Sequence, residues 1–230
     1  MKYILIYMVF TLATFVTIAC NRKRVSGDNK GDGDNQQKTF ATSEAAAIKA
    51  KSDLLEVIRS GKGINLGLDA AAVERSKPAD PIKQFQITFD NLLTADSTGG
   101  LNNLQQNEIS TMVPLVDNRI VATIIEVGKD NNRWHIASLA NKEISNDLNV
   151  IQRSIGDTSK GAITIYNLPH SRVKLYAFIR DNTEWLFSNY PGFSIQQPVP
   201  ANRLLPLIKR DAAEFQRRFA NDLKNQKLVH

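Results

Sequence analysis

The sequence contains a single cysteine, Cys20, and only three histidines among its 230 residues. A disulfide needs two cysteines, so no disulfide framework can form within the chain. The cysteine and the histidines also lack the close spacing of a zinc site. These shortages exclude a disulfide-stapled scaffold and a cysteine-rich zinc domain.

Motifs typical of catalysis or phosphate binding are also missing. Residues 192–196 resemble a nucleophile elbow, but Gln196 stands where the elbow requires glycine. Residues 61–63, Gly-Lys-Gly, are too short for either glycine-rich phosphate-binding motif. The acidic residues are scattered, which excludes nothing, because carboxylate pairs can assemble from distant positions. We expect no cofactor and no metal, and the sequence favours a protein that is not an enzyme.

Residues 3–20 contain no charged side chain, follow Lys2 and end on Cys20. A short positive start, an apolar middle and small residues at the end have the layout of an export signal. Residues 21–39 are polar and rich in glycine. The apolar run is therefore not expected to belong to a folded core.

The end of this run resembles the cleavage site of bacterial lipoprotein precursors. Ile18, Ala19 and Cys20 match the aliphatic residue, the small residue and the obligatory cysteine of that pattern, whereas Thr17 stands where leucine or valine is usual. The resemblance covers about the first twenty residues and does not extend to the rest of the chain. It implies cleavage before Cys20, lipid attached to Cys20, and a protein held on a membrane of the bacterial cell envelope.

Two other interpretations of this segment stay open. The run from 3 to 20 just reaches the length that can span a bilayer, so it could persist as an uncleaved transmembrane anchor. Arg22, Lys23 and Arg24 would then favour a cytoplasmic position for the segment that follows. Alternatively, ordinary cleavage would release a soluble product in which Cys20 has no role.

The sequence divides into three predicted parts: an export signal at 1–19, a lipid-anchored flexible tether at 20–41 and a globular domain at 42–230. The tether has almost no apolar side chain to bury, so burial cannot offset the entropy of ordering it. Its acidic residues do not form a calcium loop. Counted from Asp28, Lys30 occupies position 3 and Thr39 occupies position 12, where a glutamate is needed. We interpret the segment as a spacer.

The pattern after the tether predicts an α+β domain. Antiparallel β-meanders are expected at about 110–139 and 162–190, packed by about three amphipathic helices at 43–60, 141–154 and 201–225. A shorter helix is expected between Asp69 and Arg75, and a strand at 84–89. Because the strands are grouped in hairpins, the order of elements argues against a parallel doubly wound sheet.

Two of the predicted hairpins share a short pattern. Asp130 and Trp134 in the first, and Asp181 and Trp185 in the second, are related by the same offset of 51 positions. Each hairpin is followed by a predicted helix, so a duplicated hairpin–helix unit is one interpretation. The alternative is convergence, because hairpins commonly use Asp and Asn in turns and aromatic residues across strands.

The last predicted helix carries most of the net charge. The formal net charge of the chain is +6, and the segment from Val199 onward has seven basic residues against three acidic ones. A basic amphipathic helix can dock on anionic lipid or on another acidic surface, and the candidate contacts are Lys209, Arg210, Arg217 and Arg218. The competing interpretation leaves the basic face solvated and packs on the domain an apolar stripe formed by Ile208, Phe215, Phe219 and Leu223.

Together these observations predict a non-catalytic binding or interaction module, anchored to a membrane through lipid on Cys20. Its partner would be a protein or an anionic surface of the envelope. Nucleic acid is not expected, because the basic residues do not interleave with aromatic ones as single-strand binders require. The alternative is an envelope hydrolase that uses His170 or scattered carboxylates. Of the other histidines, His135 is predicted to be a hydrogen-bonded residue of a strand, and His230 ends the chain.

Overall fold

A nine-stranded, mostly antiparallel sheet organises the part of the protein that the structure describes. The structure, a computed structural model, describes residues 38–61, 66–94, 100–101, 104, 107–155, 162–168 and 171–224, with side chains up to residue 219 except that of Asn107. These residues belong to one structural unit, Gln37–His230. Cys20, the predicted export signal and most of the predicted tether lie outside the described residues. The predicted α+β class is confirmed.

Five helices and nine strands are present in the described ranges. The helices are α1 Ser43–Ser60, α2 Ala70–Arg75, α3 Phe89–Thr94, α4 Lys142–Ile155 and α5 Ala201–Lys224. The strands are β1 Lys77–Pro78, β2 Ile82–Gln86, β3 Asn107–Asp117, β4 Ile120–Asp130, β5 Arg133–Ser138, β6 Thr164–Leu168, β7 Val173–Arg180, β8 Thr183–Ser188 and β9 Val199–Pro200.

Local capping sets the limits of α1. The Thr42 Oγ1 atom accepts a hydrogen bond from the Ala45 amide at 3.0 Å, which satisfies one of the free N–H groups at the start of the helix. Gly61 ends the helix with φ of 59°, a left-handed conformation that glycine adopts without steric cost. The predicted helix at 43–60 therefore forms as expected, with Thr42 as its cap.

The segment before α1 contacts the edge of the sheet. Phe40, which the sequence assigned to the tether, pairs with Trp134 of β5 through N···O distances of 2.7 and 2.9 Å. Edge strands expose unpaired backbone groups, and such a bridge covers part of them. Contacts with the sheet thus extend at least as far back as Phe40.

The sheet is two antiparallel groups of strands joined by one parallel pair. Its order is β5-β4-β3-β2-β6-β7-β8-β9, and β1 pairs with the end of β3. The two meanders, β3–β5 and β6–β8, lie where the hairpin pattern predicted them. The joining pair is β2 with β6, in the register Gln84 to Ile165, Phe85 to Tyr166 and Gln86 to Asn167.

The strand predicted at 84–89 is wrong in its second half. β2 ends at Gln86, and α3 begins at Phe89. The cause is Thr88, whose hydroxyl accepts the Asn91 amide at 3.2 Å and whose carbonyl accepts the Leu92 amide at 3.0 Å. These bonds start a helix, so Phe89 packs from a helix and not from a strand.

The two similar hairpins share a turn type but not a register. Asn131 and Asn132 in one turn, and Asp181 and Asn182 in the other, all have φ between 48° and 60°, as a two-residue hairpin turn requires. The two turns are therefore 50 positions apart in the sequence, whereas the two tryptophans are 51 positions apart. Each tryptophan thus has a different distance from its turn. Because a shift of one residue reverses the side of a strand, Trp134 and Trp185 lie on opposite faces of the sheet.

Helices cover both faces of the sheet. α4 packs on one face, where Ile144, Leu148 and Ile151 contact apolar residues of both meanders. On the other face, α1 and α2 cover β3 and β4, while α3 and α5 cover β6 to β8. Within the described ranges, no helix combines the length and the apolar character that crossing a bilayer requires.

We expect Leu148→Ala to lower the free energy of unfolding by about 2–5 kcal/mol, because it leaves a cavity beneath α4 where Leu148 is 1% exposed. Chemical denaturation of the purified protein measures this change. Ile179→Ala is the matched control, since Ile179 is 55% exposed and its loss should change the free energy of unfolding little. Equal, small effects of both substitutions would contradict the position of α4.

Candidate functional site

Helix α5 begins on the sheet and then leaves it. Ala201, Leu204, Leu205 and Ile208 are buried, at the spacing of one helical face. Further along the same face, Phe215 and Phe219 are each 38% exposed. The expectation that the apolar stripe packs on its own domain therefore holds at Ile208 but only in part beyond it. Leu223 lies outside the described side chains.

Three phenylalanines form a row along the exposed part of α5. Phe89 of α3 meets Phe215 edge to face, with ring centroids 6.0 Å apart. Phe215 and Phe219 are closer, at 4.8 Å between centroids. The backbone at Phe219 departs from helical geometry, with φ of −112° and ψ of 18°. The row gives this end of the domain a partly exposed aromatic surface, which we call the α5 tip.

An apolar pocket of about 250 Å³ lies beside the α5 tip, between α3 and α5. Most of its wall is formed by apolar side chains, which include Ile87, Phe89, Leu92, Leu168, Ile208 and Phe215. Ser171, Tyr190 and Asp211 contribute the polar part of the lining. We call this cavity the α5 pocket.

Two polar residues of the pocket lining, Tyr190 and Asp211, are hydrogen-bonded to each other, and Arg210 contacts Asp211 from outside the lining. Tyr190 donates its hydroxyl hydrogen to Asp211 Oδ2, and Arg210 donates to Asp211 Oδ1 through Nε and a terminal nitrogen at 3.0 Å. Burial, reinforced by Asp211, raises the pKa of Tyr190 to about 12. The hydrogen bond from Tyr190 lowers the pKa of Asp211. At neutral pH the tyrosine is thus protonated and the aspartate ionised, so neither is suited to exchange a proton with a substrate.

The four predicted basic contacts do not form one cluster. Arg210 pairs with Asp211, and Arg218 pairs with Glu214. Arg217 is exposed and Lys209 is half-buried. All four lie on α5 outside its apolar stripe, so the structure brings basic side chains and exposed aromatic ones onto the same helix end.

A second titratable pair lies on the opposite face of the sheet. Tyr176 of β7 donates its hydroxyl hydrogen to Asp147 Oδ2 of α4 at 2.5 Å. Burial raises the pKa of Asp147. The hydrogen bond from Tyr176 lowers this pKa, but by less than burial raises it. Burial and the neighbouring Asp147 also raise the pKa of Tyr176. Nearby, Lys174 Nζ lies 2.5 Å from Glu143 Oε1. These contacts attach the start of α4 to the sheet.

A polar groove of about 500 Å³ lies near the start of α1. Lys83 pairs with Glu108 across β2 and β3 at 3.6 Å, and Lys129 Nζ lies 5.4 Å from the centre of the Trp134 ring. Its charged side chains are therefore already engaged with neighbours. The lining of the groove is more polar than that of the α5 pocket. Because ligand sites are mostly apolar, the α5 pocket is the better candidate site.

The histidines and the cysteine that the sequence singled out are mostly outside the described residues. His135 is a strand residue whose Nδ1 lies 3.3 Å from Asp130 Oδ2, in agreement with its predicted structural role. His170, Cys20 and His230 lie outside the described residues. No group of three or more metal-ligating side chains occurs among the residues that the structure describes.

Sequence reasoning missed the α5 pocket and its polar rim. Phe89 was assigned to a strand, and Asp211 was counted only as a charge. Tyr190 carried no local signal, because its partner lies 21 residues away. A single sequence holds no signal that would have paired them.

Comparisons with known proteins found no match to this chain, whether among protein-family models, curated proteins or solved structures.

We expect the Tyr190–Asp211 contact to contribute stability that is lost at high pH. The pKa of Tyr190 is about 12 in the folded protein, against 10.0 for an ordinary tyrosine, so the folded state holds its proton more tightly. The contribution is therefore complete below about pH 10 and falls as the pH rises towards 12. The free energy of unfolding, measured from pH 8 upward, checks this.

Tyr190→Phe should remove this part of the pH dependence, and the mutant curve should fall less steeply above pH 10 than that of the wild type. The control is Ile179→Ala, at an exposed residue of β7, which should leave the steepness of the curve unchanged. Parallel curves for wild type and Tyr190→Phe would contradict the contact.

Proposed function

We propose that this protein is a lipid-anchored, non-catalytic binding module of the bacterial cell envelope, whose α5 tip contacts an anionic lipid surface. The observation that carries the proposal is the partial exposure of Phe215 and Phe219 on a helix that also bears Lys209, Arg210, Arg217 and Arg218. Exposed apolar residues beside basic ones are typical of helices that lie in a membrane interface.

Helix geometry distinguishes the four basic residues. Successive residues of an α-helix are about 100° apart around its axis. Measured from the centre of the apolar stripe, Lys209 and Arg218 lie roughly 90° away, one on each side, so both could reach lipid headgroups while the phenylalanines enter the interface. Arg210 and Arg217 lie roughly 170° away, on the far side of the helix. We therefore assign the contact to Lys209 and Arg218 more than to Arg210 and Arg217.

The proposed anchor at Cys20 supports the same interpretation. The binding free energies of separate weak membrane contacts add. An attached acyl chain together with a basic patch therefore holds a protein on a membrane more firmly than either does alone. Each basic residue near an anionic surface contributes about 1 kcal/mol. A domain tethered through the residues between Cys20 and Phe40 would also stay near the bilayer, which raises the effective concentration of the α5 tip at the surface.

Binding is favoured over catalysis by the titratable groups of the α5 pocket. Tyr190 and Asp211 have pKa values displaced away from neutrality. A general acid or base works best with a pKa near the operating pH. We do not advance the hydrolase alternative. Asp147, the carboxyl whose pKa burial raises, is hydrogen-bonded to Tyr176 and attaches α4 to the sheet, and His170 lies outside the described residues.

A duplicated hairpin–helix unit also stays a proposal. The shared turn type and the cation stacked on each tryptophan, Lys129 on Trp134 and Arg180 on Trp185, support it. The difference of one residue in register weighs against it.

The anchor predicts that Cys20→Ser abolishes lipid attachment. A fatty-acid probe supplied to growing cells should label the wild type, and Cys20→Ser should lose the label and accumulate as the uncleaved precursor. The free energy of unfolding should not change, because the described core lies at residue 40 and beyond. If Cys20→Ser stayed in the membrane at the size of the mature protein, a transmembrane anchor would replace this account.

The membrane contact predicts binding of the chain from Asn21 onward, which lacks the anchor but keeps the whole described core, to phosphatidylglycerol vesicles. Phe215→Ser combined with Phe219→Ser should weaken binding by on the order of tenfold, because apolar area no longer leaves water. Co-sedimentation with vesicles measures this. Ile179→Ser is the matched control, since Ile179 is also exposed but lies on β7.

Charge substitutions distinguish a contact made by particular residues of α5 from non-specific electrostatic attraction to the membrane. Lys209→Gln with Arg218→Gln should weaken binding more than Arg210→Gln with Arg217→Gln, although both pairs remove the same charge. Equal losses would show that only net charge matters, and binding to pure phosphatidylcholine as strong as to phosphatidylglycerol would overturn the anionic contact.

A further inference from the structure

The α5 pocket has room for one short apolar chain. Its volume of about 250 Å³ exceeds the roughly 150 Å³ of an apolar cavity that accepts benzene. It lies just below the range of about 300–1,000 Å³ that is usual for drug-sized ligands. A multi-ring cofactor is therefore too large for it.

The apolar and the polar parts of the pocket lie at different depths. Leu92, Leu168 and Ile208 are buried members of one core cluster, so they form the floor of the pocket. Asp211 also lines the cavity, but its side chain is 49% exposed, which places it at the mouth. A ligand with an apolar tail and a polar head therefore fits with its tail on the floor and its head at the mouth.

The polar side chains of the lining act as hydrogen-bond acceptors. Tyr190 already donates its single hydroxyl hydrogen to Asp211 Oδ2, and Ser171 donates its own to the Leu168 carbonyl at 3.2 Å. The hydrogen bond from Tyr190 lowers the pKa of Asp211, so this carboxyl is ionised at neutral pH and has no hydrogen to donate. The three groups therefore offer lone pairs to the head of a ligand.

Asp211 has room for one further donor. A carboxylate accepts about four hydrogen bonds, two on each oxygen. Arg210 occupies Oδ1 twice, through Nε and a terminal nitrogen at 3.0 Å, and does so from outside the lining. Among the residues that the structure describes, Tyr190 alone donates to Oδ2. A second donor can therefore bind Oδ2 beside the tyrosine oxygen.

A primary ammonium ion matches this arrangement of acceptors. It has three N–H donors and no acceptor, and an alkylamine is protonated at neutral pH, as a lysine side chain is. A carboxylate head would instead place a second negative charge beside Asp211, the one charged residue that the described lining contains. The orientation also disfavours a lysine side chain of another protein, because its charged end would enter first and lie on the apolar floor.

We propose that the α5 pocket binds a small free alkylammonium ion. Its alkyl chain lies on Leu92, Leu168 and Ile208, and its nitrogen donates to Asp211 Oδ2 and to the hydroxyl oxygen of Tyr190. This site goes beyond the membrane contact proposed above, because it needs no bilayer and none of the basic side chains of α5.

Calorimetric titration of three probes into the chain from Asn21 onward, without vesicles, tests the head group. Hexylamine, hexan-1-ol and hexanoate have tails of similar length and differ in their heads. One hexylamine should bind per protein, hexan-1-ol should bind about tenfold more weakly because its head is neutral, and hexanoate should not bind. Binding of hexan-1-ol or hexanoate as tight as that of hexylamine would overturn the proposal.

Two substitutions on neighbouring positions of α5 test the place of binding. Ala212→Phe, which fills the pocket, should abolish hexylamine binding. Ala213→Phe should not, because Ala213 is exposed and does not line the cavity. Equal binding by the wild type and Ala212→Phe would show that hexylamine binds elsewhere and would overturn the site.

Asp211→Asn should weaken hexylamine binding by about tenfold, because it removes the negative charge and nearly keeps the size of the side chain. Glu214→Gln is the matched control. It removes the same charge from the same helix at a residue that does not line the pocket, so the affinity should not change. This half-exposed position keeps the proposal testable even if Ala212→Phe impairs folding, and unchanged affinity in Asp211→Asn would contradict it.

Arg210→Gln should tighten hexylamine binding roughly threefold, because it removes a neighbouring positive charge and frees Oδ1 of Asp211. Arg217→Gln, which removes the same charge from the same side of α5, should leave the affinity unchanged. Weaker binding by Arg210→Gln would overturn the assignment of a cationic head.

The membrane contact and the pocket fail separately. A response of the wild type to phosphatidylglycerol vesicles without any response to hexylamine would overturn the pocket and leave the membrane contact standing. Binding of hexylamine with the predicted effects of Ala212→Phe and Asp211→Asn would support the pocket whether or not vesicles bind.

Discussion

The parallel pairing of β2 with β6 is the constraint on which the rest of the structure depends. Every other pair in the sheet is antiparallel and lies within one group of neighbouring strands, so without this pair the two meanders would be separate sheets. Phe85 and Tyr166 reinforce the pairing, with stacked rings 5.7 Å apart between centroids. Next to them, Ser110 donates to the buried Gln84 side chain at 2.8 Å. Three backbone registrations and one aromatic contact thus join the two meanders into one sheet, and the Ser110 bond holds Gln84 of β2 on β3.

The continuous sheet determines where the helices can pack and what they leave exposed. Because both meanders share one face, α4 can cover both with a single apolar stripe. On the other face, α5 follows β9 directly and packs on β6 to β8, but it is longer than the surface beneath it. Its second half therefore leaves the sheet, which exposes Phe215 and Phe219 and opens the α5 pocket towards α3. The proposed membrane contact follows from this excess length.

Much of the fold could be predicted from the sequence, because local patterns decide it. Helices α1 and α4 and the turns of the meanders depend on residues within a few positions of one another, and they form close to the places that the sequence predicted. The joining pair could not be predicted, because Phe85 and Tyr166 are 81 positions apart and short strands carry no sign of their partner. The candidate site was missed for the same reason. Phe89 looked like the end of an alternating strand until Thr88 began a helix, and Tyr190 meets Asp211 only through tertiary packing.

Native-state hydrogen exchange tests the central claim, that one parallel pair makes the sheet a single cooperative unit. Amides of Val113 and Ile125 report on the first meander, and those of Leu175 and Phe187 report on the second; all four residues are buried. The account predicts one opening free energy for all four, lowered by the same amount in Phe85→Ala. Opening of the second meander at a clearly lower free energy than the first would contradict it, and the two groups of strands would then have to be regarded as separate folding units.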